Sequence, residues 1–211
     1  MFYNRKQAAL LLARELEKYK GENVIVLGIP RGGIETAYYL ARELNAKLST
    51  LIVHKLGYPG DPEFAFGAMA EDGTVYYNPY HKINLSQEMI DNIEEDQQRE
   101  IEHRKRIFRE SQVFPDIKDK TVIIVDDGVA TGATIFAATR MCKKRGAAKI
   151  VVAAPVCSQR TENDLLHEAD EVVMLEKPEH FSAVSQAYES FQNLSDQEAL
   201  EFLEKWEKKT I

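Results

Sequence analysis

The sequence predicts an α/β protein on a doubly wound, mainly parallel sheet, with a hairpin and a long helix inserted into the alternation. Three observations predict it. Short apolar runs at 24–29, 48–53, 122–125, 149–156 and 171–175 have the length and composition of strands buried on both faces. Most of the intervening stretches carry apolar residues at helical spacing. Two of the runs, the first and the third, end in small-residue turns that lead straight into a helix.

Taken in order, Asn4 and Gln7 have the spacing of a capping box, and Ala8, Leu11, Leu12, Leu16 and Tyr19 repeat behind it until Gly21 closes the helix. The first strand, 24–29, is followed by a helix over 32–44 with Ala37, Leu40, Ala41 and Leu44 on one face, then by the strand at 48–53. Two insertions follow. Segments 65–70 and 74–78 flank Asp72-Gly73, a hairpin signal. Residues 85–110 are highly charged, with Met89, Ile93, Ile101 and Phe108 as sparse apolar points, and predict a long exposed helix serving as a strut or a homodimer surface. Nothing in that helix marks chemistry. The alternation resumes with a strand at 122–125, a helix at 134–144, the strand at 149–156, a polar helical stretch at 161–168 and the strand at 171–175. Ser195 and Glu198 form another capping box, opening a helix that packs through Ala199, Phe202, Leu203 and Trp206. With no repeat, low-complexity stretch or linker, residues 1–211 are expected to form one domain.

The bulk numbers exclude several classes. A net charge of −7 argues against a nucleic-acid partner, since Arg104-Lys105-Arg106 and Lys143-Lys144-Arg145 are short and read as solvated helix faces. Cys142 and Cys157 have no CxxC spacing and suggest reduced thiols. The N-terminus lacks the apolar core of a signal peptide and no apolar run has membrane-spanning length, so a cytoplasmic chain with no membrane partner is expected.

The most informative run is Val122 to Thr134. Four β-branched residues make the strand, Asp126 and Asp127 stand at its end, and a loop of Gly, Ala and Thr leads into a helix. Backbone N–H groups at such a helix start attract a phosphate, small side chains let it come close, and carboxylates at the strand tip accept hydrogen bonds from sugar hydroxyls. That combination suits a sugar phosphate. No Lys follows the glycines as a P-loop requires, either here or at 28–33, where Ile34-Glu35 comes next. The second turn, Gly28-Ile29-Pro30-Arg31-Gly32-Gly33, places a guanidinium beside a helix start, where it can clamp a diphosphate. Lys55 is expected at the carboxyl edge of the same sheet, after the strand at 48–53.

The Val122–Thr134 run resembles the phosphoribosyl pyrophosphate (PRPP) signature of the type I phosphoribosyltransferases. The resemblance extends over nearly the whole chain, to a stand-alone bacterial and archaeal subgroup, through Pro30-Arg31-Gly32-Gly33, Lys55-Leu56-Gly57, Pro62-Glu63-Phe64-Ala65-Phe66-Gly67-Ala68 and the Phe181, Val184, Tyr188, Phe191 pattern. It implies transfer of the 5-phosphoribosyl group from PRPP to a nitrogen acceptor, by family habit a nucleobase, with Mg²⁺ carried on the substrate's oxygens. Asp126 and Asp127 would hold the ribose hydroxyls, and Ala130, Thr131, Gly132, Ala133 and Thr134 the 5′-phosphate. Arg31, Gly32, Gly33 and Lys55 would hold the pyrophosphate, and Phe181 would face the acceptor. Residues 57–78 stand where the family has a mobile lid. Three departures qualify the resemblance: Gly128 replaces an aliphatic residue, Ala130 replaces the Asp that purine-salvage enzymes place there, and Ser185 replaces a Gly. A non-catalytic PRPP sensor of the same fold would want a DNA-binding extension or a basic face, and this acidic chain shows neither. A hydrolase would need a water-activating base near C1′, which the phosphate loop lacks.

Overall fold

In a computed structural model, residues 1–80, 84–110 and 113–210 are described, with backbone alone for 62–64 and 209–210. Five strands, β1 (Val24–Gly28), β2 (Lys47–Thr50), β6 (Thr121–Val125), β7 (Lys149–Val156) and β8 (Glu171–Glu176), form one sheet in the order β2-β1-β6-β7-β8. Every pairing in it is parallel. The apolar runs are continuous because both faces are covered. Ile25, Leu27, Val122, Ile124, Ile150 and Val152 point to one core cluster, and Val24, Val26, Ile123, Val125, Val151 and Ala153 to another. This is the α/β, mainly parallel sheet the sequence predicts.

Helices α1 (Arg5–Glu15), α2 (Gly32–Leu44), α4 (Ala133–Lys144) and α5 (Gln159–Leu165) cover the sheet or its edges, and α6 (Asp196–Thr210) packs on α2. At α1 the Asn4 side chain accepts from the Gln7 N–H at 2.9 Å, while the Gln7 carboxamide reaches back one residue further, to the Tyr3 N–H. Helix α5 begins earlier than expected because Ser158 caps it, accepting from the Thr161 N–H at 3.1 Å. The capping box at Ser195 and Glu198 is complete in both directions, at 3.2 and 2.8 Å.

The strand expected over 48–53 is divided. The Leu51 N–H still bonds to Gly28, but Ile52 gives its N–H to the buried carboxylate of Glu71, and the chain then enters a second sheet. That sheet is antiparallel, in the order β3 (Val53–Tyr58), β4 (Asp61–Ala70), β5 (Val75–Tyr77), and the Asp72-Gly73 turn joins its last two strands. Two expectations change with it. Lys55 lies inside β3, opposite Ala68, and not at the carboxyl edge of the parallel sheet. The segment expected as a lid is largely core, since Phe66, Ala68, Met69, Ala70 and Tyr76 are buried and Tyr76 stacks on Phe136 of α4 at 4.6 Å. The side chains of Pro62, Glu63 and Phe64 lie outside the described residues.

The inserted helix α3 (Gln87–Arg109) buries Ile101, Phe108 and Arg109, the last paired with Glu71 in the interior. Ile101 and Phe108 pack with Phe66 and Met69 and with Ala199 of α6, so both insertions share one core. Among the described residues no helix is long and apolar enough to cross a membrane.

Candidate active site

Strand order fixes where a ligand can sit. The chain leaves β1 toward β2 on one side and returns to β6 on the other, so the strand order reverses between β1 and β6 while the strands stay parallel, and a crevice opens beyond their carboxyl ends. Register places those ends side by side: Gly28 is level with Val125, and the Ile29 N–H bonds to the Val125 carbonyl at 3.0 Å. The turn after β1 and the acid-pair loop after β6 thus face one cleft of about 1190 Å³. Its walls include Arg31, Gly32, Lys55, Asp126, Asp127, Ala130, Thr131, Gly132 and Thr134, nine of the residues singled out from sequence. Gly33 and Ala133 lie just behind, in the first turns of α2 and α4.

The two loops share a feature that suits anions. Helices α1, α3, α5 and α6 each have a first-turn N–H bonded to the side chain of Asn4, Ser86, Ser158 or Ser195. Among the described residues, α2 and α4 have no such side-chain cap, and these two start at the cleft. The Ile34 N–H of α2 bonds to the Arg31 carbonyl at 3.1 Å, and the other first-turn donors, with the positive ends of the helix dipoles, suit phosphate oxygens.

Glycines in these loops are explained by contact as much as by ligand approach. A Cβ on Gly33 would meet the Val125 carbonyl at 2.8 Å and Asp126 Oδ1 at 3.0 Å, so this glycine lets α2 start against the acid pair. Gly132 has φ of +78° and would press a Cβ against Thr161 at 2.7 Å and Phe136 at 2.9 Å. Thr161 also fixes the loop directly, donating from its hydroxyl to the Ala130 carbonyl at 2.9 Å. The Pro30–Arg31 peptide bond is cis.

The acid pair is held tightly. The Asp127 N–H bonds to Asp126 Oδ1 at 2.9 Å, and the Asp127 carbonyl accepts from the Tyr188 hydroxyl at 2.6 Å. Burial pushes both carboxyls above the usual carboxylate range, Asp126 well above it with repulsion from Asp127 adding to the shift, while Arg5 draws Asp127 back down. Arg5 was not singled out from sequence. It lines the cleft from the start of α1, with Nε 2.7 Å from Asp127 Oδ2.

The remaining candidates divide. Arg31 is half-exposed and stands 3.9 Å from Asp196, close enough to the cleft to turn toward a ligand. Lys55 is exposed on the β3 wall. The imidazole of His54 beside it is drawn below the usual range by burial and then by Arg104. Phe181 does not line the cleft. It packs with Phe2, Ala187 and Tyr188, and the wall on that side is made by Ala183, Val184 and Phe191. Helix α3, expected as a strut or a homodimer surface, supplies Ile93, Asp96, Gln97 and Arg104 to the opposite wall. Cys142 and Cys157 are poor nucleophiles, since burial pushes both thiols up to about 12.

The sequence model of the phosphoribosyl transferase domain matches residues 4–191, a span that contains both cleft loops. The chain belongs to the phosphoribosyl transferase family. A Mycobacterium tuberculosis protein (strain H37Rv), provisionally named a phosphoribosyl transferase, is 39% identical over 207 residues, covering 97% of this chain and 47% of that protein. The chain thus spans about half the length of the curated relatives it matches. The crystal structure of TT1426 from Thermus thermophilus is similar to this family member with a TM-score of 0.79 at 36% identity, covering 97% of this chain and 98% of that one. A shorter match, 57% identical over 42 residues, or 20% of this chain and 21% of that protein, is to the transcriptional regulator GfcR of Methanosphaera stadtmanae.

In this family member the departure at Gly128 has a packing cause. A Cβ there would meet Val184 Cγ1 at 2.4 Å and Val156 Cγ1 at 2.9 Å. The space an aliphatic side chain would fill from the loop is filled from the opposite wall.

Proposed function

We propose that this chain transfers the 5-phosphoribosyl group of PRPP to a nitrogen nucleophile, a nucleobase being the favoured acceptor, and releases pyrophosphate. The observation that carries this reading is the pair of uncapped helix starts flanking Asp126 and Asp127 at one switch point. Two anionic groups and a sugar between them is the charge pattern of PRPP. Ala130, Thr131, Gly132, Ala133 and Thr134 would take the 5′-phosphate, with the Thr131 and Thr134 hydroxyls as donors. Gly32, Gly33, Arg31 and Lys55 would take the diphosphate, and the two carboxylates the ribose hydroxyls.

The reaction needs little covalent help from protein. Its transition state carries positive charge on the ribose ring and growing negative charge on pyrophosphate. Asp126 and Asp127 would favour the first, while Arg31 and the α2 start would favour the second. The tip of the β3–β4 hairpin, Tyr58 to Gly60, borders the cleft and would limit water entry. Ala130 offers no proton acceptor, so as the acceptor's nitrogen lone pair forms the bond to C1′ and the bond from C1′ to the diphosphate oxygen breaks, a proton lost from that nitrogen would pass to the departing pyrophosphate or to water.

Among the described residues no three His, Cys, Asp or Glu side chains gather as a metal cage. Hard carboxylate oxygens at the ribose position suit Mg²⁺ that arrives on the substrate's oxygens and keeps its waters. Such an ion would neutralise diphosphate charge when bound.

A PRPP-sensing regulator is the second reading, favoured by the 42-residue match to a transcriptional regulator. Incubation of the purified chain with PRPP, Mg²⁺ and a panel of purine, pyrimidine and pyridine acceptors separates the two. Pyrophosphate release with a nitrogen acceptor is expected. PRPP binding with no release for any acceptor would transfer the chain to the sensing class.

A further inference from the structure

Arg5 opens α1 with its side chain only 6% exposed, which is unusual for an arginine. The guanidinium is engaged on several sides. Nε donates to Asp127 Oδ2 at 2.7 Å, Nη1 donates to the Gln192 carbonyl at 2.9 Å and lies 3.7 Å from Glu35, and the Arg5 guanidinium carbon sits 4.1 Å above the Phe191 ring. A planar guanidinium stacked on one face and bonded along two edges has no freedom to rotate. The diphosphate-side turn is shaped around the same contact: a Cβ on Gly32 would stand 1.8 Å from Asp127 Oδ2 and 3.0 Å from Arg5 Nε.

We propose that Arg5 is the positioning residue of the acid pair, holding Asp127 through Oδ2 so that its other oxygen is presented to the ribose, and tying that carboxylate to the 188–192 segment. The proposal rests on reading the cleft as a PRPP site. Adjacent, part-buried carboxylates repel, and without a fixed cation Asp127 would take up a proton or turn away. The other charged or titratable groups facing this centre are Asp126 just after β6, Glu35 from α2, Tyr188, and Glu198 of α6 acting on Glu35. None of them is a cation, so none can replace Arg5. The grip on Asp127 is double, since Tyr188 holds its carbonyl while Arg5 holds its side chain, and both lead to the wall that carries Phe191. Movement of that wall on acceptor binding would therefore be felt at the ribose.

A double-mutant cycle tests this, with Mg²⁺-PRPP affinity measured by calorimetry on Arg5→Met, Asp127→Asn and the double variant. Arg5→Met should weaken PRPP binding about tenfold or more when Asp127 is present, and less than about threefold when residue 127 is already amidated. Arg5→Lys should fall between, since it keeps the charge and loses the stacked, two-edged geometry. Equal losses in the two backgrounds would make Arg5 a purely structural residue and overturn the proposal, as would unchanged affinity in Arg5→Met. Should Arg5→Met not fold, the same cycle run with Arg5→Lys decides between these outcomes. Failure of the wild-type chain to bind PRPP at all would instead overturn the functional reading, and shows before any variant is made.

Discussion

Two carboxylates at adjacent positions, both largely withdrawn from water, work against the fold that holds them. Burial raises the Asp126 and Asp127 carboxyls above the ordinary value of 3.8, so across that window the folded chain binds more protons than the unfolded one. Stability therefore falls as pH rises from the ordinary carboxylate range through the raised one, the reverse of a salt-bridged acid. Asp126→Asn keeps the oxygen that accepts from the Asp127 N–H and removes the charge. The variant should melt at a higher temperature than wild type at neutral pH, with the gain vanishing as the pH drops to the ordinary carboxylate range. Its turnover should fall about 10²–10³-fold, the scale of one electrostatic transition-state contact. A neutral-pH melting temperature no higher than that of wild type would contradict the burial argument. The acid pair was legible in sequence because chemistry and punctuation coincide there, charge following immediately on a β-branched run. Arg5 was not, because its partner is 122 residues away and a polar residue at a helix start reads as solvated.

At the scale of elements, the sheet and its helices follow from period and punctuation, and the departures lie where one element's boundary depends on a distant side chain. The strand expected at 48–53 divides because Glu71, a residue of the inserted hairpin, draws the Ile52 N–H away from the parallel ladder. Helix α3 reads as a solvated strut because few of its residues are apolar, yet four of them face the cleft. Two expectations belong to this scale. With β4 and β5 packed on α4, amide exchange should be slow at 65–70 and 75–77 without ligand, and PRPP with Mg²⁺ should slow exchange chiefly at 57–60. Fast exchange throughout 57–78 in the free protein would restore the broader lid. The second concerns Gly128, whose place is made by Val184 and Val156. Gly128→Val should destabilise the chain by about 1–3 kcal/mol through overpacking, and Val184→Ala should recover much of it in the double variant. A Gly128→Val melting temperature equal to wild type would show that the wall yields at no cost, and equal values for the destabilised single and the double variant would show that Val184 is not what resists.

For the molecule as a whole, the question is whether the cleft proposed to hold PRPP performs chemistry or reports occupancy. Arg31 decides it, because it is the strong cation of the diphosphate-side turn and is not locked in place. The carboxylate beside it, Asp196, stands 3.9 Å away and the Arg31 side chain is 43% exposed. A sensor draws on Arg31 only for equilibrium affinity, so its loss would appear wholly in the PRPP dissociation constant. An enzyme draws on it most as negative charge gathers on the departing pyrophosphate, a state the ground-state complex has not reached. Arg31→Ala should therefore lower kcat by a larger factor than it raises the PRPP dissociation constant, the excess being about 2 kcal/mol or more for a charge-assisted contact strengthened in the transition state. Arg31→Lys should restore binding better than turnover, since an ammonium supplies charge without the fork that follows two oxygens at once. Loss confined to binding in Arg31→Ala would assign the residue to recognition alone and leave the charge on pyrophosphate to Lys55, Mg²⁺ and the α2 start.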